Sequence, residues 1–86
     1  MKVDVSLFGA FRELDPGARV ELEVPEAARV ADLRAALDAH ARAHWPGYRP
    51  ELLKVSAFAS EHAVLRDADP LPPGVPMAVL PPVSGG

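Results

Sequence analysis

The last six residues of the chain carry its most distinctive chemistry. They read Pro81-Pro82-Val83-Ser84-Gly85-Gly86. Glycine has no Cβ and loses more conformational freedom on ordering than any other residue, so a terminal Gly85-Gly86 pair is of little use for packing. Such a backbone can instead enter a narrow active-site channel, where the Gly86 carboxylate is open to activation. We therefore predict that residues 81–86 form a flexible tail with Gly86 as its reactive end.

The two prolines favour an extended lead-in to the glycines. Each proline ring holds φ at about −65°, and consecutive prolines favour an extended backbone. A segment that is stiffened in advance loses less entropy when it inserts into a partner. The alternative is an inert end, because short motifs also match by chance.

The composition bounds the kind of molecule that carries this tail. A chain of 86 residues forms one small domain with a single modest core. Nine basic and twelve acidic residues give a net charge of −3, which argues against nucleic acid as a partner. No apolar run reaches membrane-spanning length and the N-terminus has no signal-peptide pattern. We therefore expect a cytoplasmic protein with no membrane partner.

The sequence contains no cysteine. This excludes disulfides, thiolate metal sites and a cysteine nucleophile. Any sulfur chemistry at the tail must therefore use sulfur that another molecule supplies.

The remaining polar side chains do not form a recognisable catalytic or metal-binding set. His40 and His44 are spaced i, i+4 on a predicted helix, which suits metal chelation, but no third ligand is evident. Histidines on a helix surface are the simpler interpretation, so we expect no metal site. No Ser-His-Asp order, phosphate-binding glycine loop or pair of buried carboxylates emerges. We expect no bound cofactor and no catalysis by the chain alone.

Alternating and then helical spacing predicts the first half of the fold. Residues 2–7 and 19–24 alternate apolar and polar side chains, which is typical of a hairpin, here with a long loop. Helical spacing follows over residues 30–43, and Pro46 disfavours its continuation. Trp45 and Tyr48 are expected to close the end of the core.

Three further apolar segments complete the predicted sheet. Residues 53–59 suggest a buried strand, residues 63–65 a short edge strand and residues 77–80 the last strand. The order β-β-α-β-(β)-β, with one main helix on a small mixed sheet, is that of the α+β β-grasp, or ubiquitin-like, fold. We predict this domain over residues 1–80 and the tail over residues 81–86. The first and last strands would lie side by side at the sheet centre, as a rigid base for the tail.

Two apolar residues near the tail are candidates for partner docking. Alternation turns Leu7 inward, so Phe8 falls on the outer face, and it turns one of Val79 and Leu80 outward. If both are exposed, Phe8 and Leu80 form an apolar docking patch. The alternative is that Phe8 folds under the following loop. The residues that we predict to contact the partner are Phe8, Leu80, Pro81, Pro82, Val83 and Ser84.

Three segments together resemble the MoaD/ThiS family of sulfur carriers. They are Leu7-Phe8-Gly9-Ala10-Phe11-Arg12-Glu13-Leu14, Val30-Ala31-Asp32-Leu33-Arg34-Ala35-Ala36-Leu37 and Val79-Leu80-Pro81-Pro82-Val83-Ser84-Gly85-Gly86. The resemblance covers essentially the whole chain, and the Pro-Pro-Val-Ser-Gly-Gly ending is its most specific part. Within the family, the small subunits of molybdopterin synthase are the most similar.

This resemblance implies a complete role for the tail. An ATP-dependent, E1-like enzyme (MoeB-like) would adenylate Gly86, and a sulfur donor protein would then convert it to a thiocarboxylate. The loaded tail would enter a MoaE-like large subunit and give its sulfur to cyclic pyranopterin monophosphate, forming molybdopterin for molybdenum cofactor biosynthesis. The chain would be the sulfur-donating subunit of a sulfurtransferase rather than an enzyme in isolation. ATP would be used by the activating partner.

Other functions share the same fold and terminus. The chain could carry sulfur for thiamin, cysteine or tRNA thiolation. It could also be a covalent modifier of ubiquitin type, with Gly86 joined to a lysine of a target protein. The last alternative is an interaction module with an inert tail.

Overall fold

The computed structural model describes residues 1–82, which contain five strands and three helices. Our predictions for Val83, Ser84, Gly85 and Gly86 lie outside the described residues, so the division into a domain and a tail stays a prediction. The elements are β1 (Lys2–Leu7), α1 (Ala10–Leu14), β2 (Arg19–Glu23), α2 (Val30–His44), α3 (Pro50–Lys54), β3 (Ala57–Ala59), β4 (Val64–Leu65) and β5 (Met77–Leu80).

The strands form one mixed sheet in the order β2-β1-β5-β3-β4. β1 and β2 pair in antiparallel fashion, as the alternation predicted. β5 lies at the centre, parallel to β1 with Leu7 opposite Val79, and antiparallel to β3 with Ala57 opposite Leu80. The predicted pairing of the first and last strands is therefore confirmed.

The core lies between the sheet and α2. The inner positions of β1, β2 and β5 are apolar and buried, and the buried stripe of α2 packs over them. Each fully buried aliphatic side chain of this kind stabilises the fold by about 1.5–3 kcal/mol. The stripe consists of Val30, Leu33, Leu37 and Ala41. One main helix on a mixed five-stranded sheet is the β-grasp arrangement, so the predicted fold class is confirmed.

Two short helices differ from the predictions. The loop after β1 contains α1, whose Phe11 is fully buried in the core. The segment predicted as a strand over residues 53–59 is wrong in its first half, because α3 extends to Lys54 and β3 begins only at Ala57. Pro50 occupies the first turn of α3, where its missing N–H costs nothing, and this favours the helix.

The loop between β4 and β5 completes the start of α2. The N–H groups of Val30 and Ala31 donate to the carbonyl oxygens of Asp69 and Asp67, both at 3.0 Å. These bonds satisfy donors that a helix start otherwise leaves unpaired. The carboxylate of Asp32, in the first turn of α2, accepts from the N–H of Arg29 at 2.8 Å and so satisfies a further donor at the helix start. The proline-rich loop is therefore tied to the helix.

Trp45 and Tyr48 close the end of the core, as predicted. Trp45 is buried, and the ring of Tyr48 lies edge-on to it with a centroid separation of 6.2 Å. The Tyr48 hydroxyl donates to the Asp38 carboxylate at 2.6 Å. This hydrogen bond, followed by one from Arg42, lowers the pKa of Asp38, and burial with the same bond raises the pKa of Tyr48.

The Tyr48–Asp38 hydrogen bond predicts a pH-dependent stability. Since the pKa of Asp38 is lower in the folded chain, its contribution is fully present above the unfolded value of 3.8 and is lost as pH falls through the folded value. We expect Tyr48→Phe to cost about 1 kcal/mol of unfolding free energy at pH 7. Urea unfolding of both proteins at pH 7 and near pH 3 checks this. A difference between them that is the same at both pH values would contradict it.

Candidate functional site

The base of the predicted tail is a central strand held on both sides. β5 pairs with β1 on one edge and with β3 on the other. The side chain of Val79 is 0% exposed, whereas Leu80 points to the opposite face and is half-buried. The chain therefore leaves the sheet at Leu80 from a fixed position.

Phe8 lies at the same end of the sheet as Leu80. Because β1 and β5 are parallel, both strands end at the same edge, where Leu7 is opposite Val79. Phe8 directly follows β1 and is 45% exposed, so it does not fold under the following loop. The structure thus brings together Phe8 and Leu80, and their role in partner binding stays a prediction.

Val55 is a further apolar residue at this end that the sequence analysis missed. It is 65% exposed and follows α3, just before β3. Since Ala57 is opposite Leu80, the chain entering β3 runs beside the end of β5. We assigned Val55 to a buried strand because it stands in an apolar run, so its exposure became visible only with the true start of β3. We define the docking patch as Phe8, Val55 and Leu80.

The outer face of the sheet changes character from one edge to the other. Near the centre, one row of register partners consists of Ser6, Ala78 and Ala59, whose side chains are small. On the β2 side the face is charged, with Arg19 and Asp4 paired at 3.3 Å. The outer face beside the docking patch is therefore a shallow floor of small side chains, bounded by charges on the β2 side.

The first residues of the predicted tail differ in exposure. Pro81 is half-buried and Pro82 is exposed. Val83, Ser84, Gly85 and Gly86, which we predicted as partner-binding and reactive residues, lie outside the described part of the chain.

The histidine pair of α2 is part of the packing around Trp45. The rings of His40 and His44 have centroids 4.5 Å apart, and His40 lies edge-on to Trp45 at 5.6 Å. Burial and then the neighbouring His44 lower the pKa of His40. Within residues 1–82, no group of three or more histidine, aspartate or glutamate side chains is placed to hold a metal ion.

The helices of the described region are short or polar. None of those found within residues 1–82 has both the length and the apolar character needed to cross a membrane.

Comparisons with known proteins agree with this geometry. SAMP1 from Haloferax volcanii is 25% identical, with a TM-score of 0.72 and complete coverage of both chains. A Pyrococcus furiosus protein assigned as molybdopterin converting factor, subunit 1, is 29% identical, with a TM-score of 0.66. That similarity covers 95% of this chain and 98% of the other. No curated protein sequence matches the chain.

The family is settled by the extent of a sequence match. The profile of the ThiS family covers residues 5–86, from the middle of β1 to the last glycine. The chain belongs to the ThiS family, as a MoaD/ThiS-like carrier domain with the ubiquitin-like β-grasp fold.

Proposed function

We propose that this chain is a sulfur carrier whose working group is the carboxylate of Gly86. The observation that supports it most directly is the family match, which runs through Pro-Pro-Val-Ser-Gly-Gly to residue 86. This motif follows immediately after β5, the strand held at the centre of the sheet. A reactive end on a rigid base can be presented reproducibly to an enzyme.

The chemistry follows from the poor reactivity of a carboxylate. An E1-like partner of the MoeB type transfers AMP from ATP to the Gly86 carboxylate and releases pyrophosphate. A persulfide on the donor protein attacks the acyl carbon and displaces AMP, which leaves an acyl disulfide between the chain and the donor. A thiol of a partner then attacks the donor's sulfur, forms a disulfide with it and releases the thiocarboxylate. This anion is a good nucleophile near neutral pH, and its sulfur does not come from a cysteine of the chain.

The pathway that we propose is molybdopterin synthesis. The similarity to the Pyrococcus furiosus protein supports it, since that protein is assigned to molybdopterin conversion and the similarity spans nearly all of both chains. The chain would be the small subunit of molybdopterin synthase and give its sulfur to cyclic pyranopterin monophosphate on a MoaE-like large subunit. The partner would supply the acid–base groups and bind the substrate. The need for ATP would place these reactions in the cytoplasm.

A second candidate function is covalent modification of other proteins. The similarity to SAMP1, a ubiquitin-like protein, covers the complete length of both chains and supports it. In this case a lysine amine of a target would attack the adenylated Gly86, and the product would be an isopeptide.

Intact-mass spectrometry separates the two candidates. The chain is co-expressed with the activating enzyme and a sulfur donor, and its mass is measured before and after digestion. Replacement of one oxygen by sulfur on Gly86 supports the carrier, whereas branched peptides that join Gly86 to lysine support the modifier. An unchanged Gly86 carboxylate in the presence of active partner enzymes would contradict both. Formation of molybdopterin from the loaded chain, the large subunit and cyclic pyranopterin monophosphate then tests the pathway.

The docking patch gives a prediction about partner affinity. Phe8→Asp places a charge at the most exposed aromatic position beside β5, and we expect the Kd for the large subunit to rise about 30-fold. The matched control is Val64→Asp, because Val64 is 66% exposed but lies on β4, three strands from β1. Isothermal titration measures both. Equal affinities for the wild type and Phe8→Asp would show that Phe8 does not contribute to binding of the large subunit.

A further inference from the structure

Gly9 occupies a tight turn between β1 and α1. Its φ is 57° and its ψ is −132°, which is the conformation that glycine takes at the first central position of a type II′ turn. The N–H of Phe11 donates to the carbonyl of Phe8 at 3.2 Å and closes this turn. Residues with a Cβ rarely adopt such a conformation.

The same glycine lies against the ring of Pro81. A Cβ built on Gly9 would lie 2.6 Å from Cγ, 3.5 Å from Cδ and 3.9 Å from Cβ of Pro81. The first distance is shorter than real Cβ contacts. The Pro81 ring is closed onto its own backbone, so it cannot swing aside as the end of a flexible side chain does. Any side chain at position 9 must therefore move the backbone at Pro81 or the turn itself.

Because of the structure around it, this contact bears on the direction in which the chain leaves β5. Leu80 is held in the sheet opposite Ala57, and a residue before proline is restricted to extended conformations. The remaining freedom is the torsion that carries the Pro81 ring relative to β5. The Pro81 ring can keep this position only while residue 9 has no Cβ, because a Cβ there would lie 2.6 Å from the ring's Cγ.

We propose that Gly9 is a positioning residue that sets the direction in which the chain leaves the sheet at Pro81, and so aims Gly86 at the activating enzyme. This inference depends on the proposed function, since it assigns Gly9 a part in presenting the reactive carboxylate. Gly9 itself touches no reacting atom.

Gly74 provides a matched control. It also has a positive φ, 72°, but a Cβ on Gly74 would meet nothing within 4 Å. Gly74→Ala therefore introduces backbone strain alone, whereas Gly9→Ala introduces strain and displaces Pro81. In the double variant Gly9→Ala/Pro81→Ala, the ring atoms at 2.6 and 3.5 Å are gone, so the displacement is relieved.

The first arm of the test measures adenylation of the full chain by ATP–pyrophosphate exchange with the activating enzyme. We expect Gly9→Ala to lower kcat/KM at least about tenfold, because misplacing a reacting group by about 1 Å has effects of this size. Gly74→Ala should keep the wild-type value, and the double variant should return to the level of Pro81→Ala. Equal kcat/KM for Gly9→Ala and Gly74→Ala would overturn the inference.

The second arm does not depend on activity. The chain has no cysteine, so Ser84→Cys introduces a single thiol for a nitroxide label. We expect the set of domain residues broadened by the label to change in Gly9→Ala and to become larger in Pro81→Ala. The second variant leaves the Gly9 turn intact, so it still tests the inference if Gly9→Ala fails to fold. A pattern unchanged in both variants would overturn the inference. If the wild-type chain is never adenylated but the two variants show these changes in broadening, the proposed function alone is contradicted.

Discussion

Removal of Gly86 is expected to abolish sulfur loading and to leave the stability of the domain unchanged. The shortened chain would end in the carboxylate of Gly85, one residue closer to the sheet. Because the base of the tail is fixed in β5, an extended chain of one residue fewer falls short by about 3.3–3.6 Å. That distance separates a carboxylate in contact with the adenylating phosphate from one out of reach. We expect the loss of rate to exceed about a hundredfold.

Intact-mass spectrometry after incubation with the activating enzyme, ATP and a sulfur donor measures the effect of this deletion. The control is Glu61→Gln, which alters an exposed side chain between β3 and β4 and keeps the whole tail with its final Gly85-Gly86 pair. We expect Glu61→Gln to be loaded and the shortened chain to remain unmodified, with matching thermal unfolding curves. Loading of the shortened chain at the wild-type rate would show that the length of the tail does not position its end.

The strands were predictable because successive side chains of a strand point to opposite faces of the sheet, so an odd or even position decides the face. In β1 and β2 the apolar residues alternate with polar ones, and a shift by one position would bury the charges of Asp4 or Glu21. The same parity placed Phe8 on the outer side. The pairing of β1 with β5 followed from the order of elements in the fold class. Local patterns of this kind predict the paired strands and two of the three residues of the docking patch, Phe8 and Leu80.

The short helices were not predictable from periodicity. α1 and α3 each span five residues, which is little more than one turn, so neither shows a repeating apolar face. Leu53 is buried in α3, and a buried leucine is equally compatible with a strand. Because of this ambiguity we predicted that β3 begins too early, and we therefore did not predict that Val55 is exposed.

The contact between Gly9 and Pro81 could not be predicted from local sequence patterns, for a different reason. The two residues stand near opposite ends of the chain, and only the parallel pairing of β1 with β5 brings them together. A glycine after a strand reads as an ordinary turn residue in the sequence. The requirement for close approach becomes visible only in three dimensions.

Arg34 is a comparable case, since its side chain joins parts of the chain that the sequence does not connect. Its guanidinium donates to the carbonyl oxygens of Leu53 and Ser56, the latter at 2.8 Å, and to the carboxylate of Asp67 at 2.9 Å. It also lies over the ring of Phe58 at 5.0 Å from the centroid. One side chain of α2 thus holds α3, the start of β3 and the loop before β5. In the sequence analysis Arg34 appeared only within the segment of residues 30–37 that resembles the MoaD/ThiS family.

We expect Arg34→Met to be among the most destabilising single changes that leave the core intact. The side chain is only 20% exposed, so its loss leaves two part-buried carbonyl groups without their donor. An unsatisfied buried acceptor costs about 1–3 kcal/mol, and charge-assisted bonds lie at the upper end. We therefore expect a loss of about 3 kcal/mol. A domain of this size has a total stability of only about 4–13 kcal/mol, so this is a large fraction.

Thermal unfolding at pH 7 measures this effect, with a fall in Tm of roughly 15 °C expected for Arg34→Met. Arg34→Lys should lie between the wild type and Arg34→Met, because an ammonium group lacks the planar fork that reaches several acceptors at once. The matched control is Arg42→Met on the same helix, where the exposed i, i+4 pair with Asp38 is worth about 0.3–0.5 kcal/mol. Equal Tm values for Arg34→Met and Arg42→Met would show that the carbonyl groups find other donors. A large loss confined to Arg34 would instead mean that the strand beside β5, and with it the base of the tail, is held from the helix side of the fold.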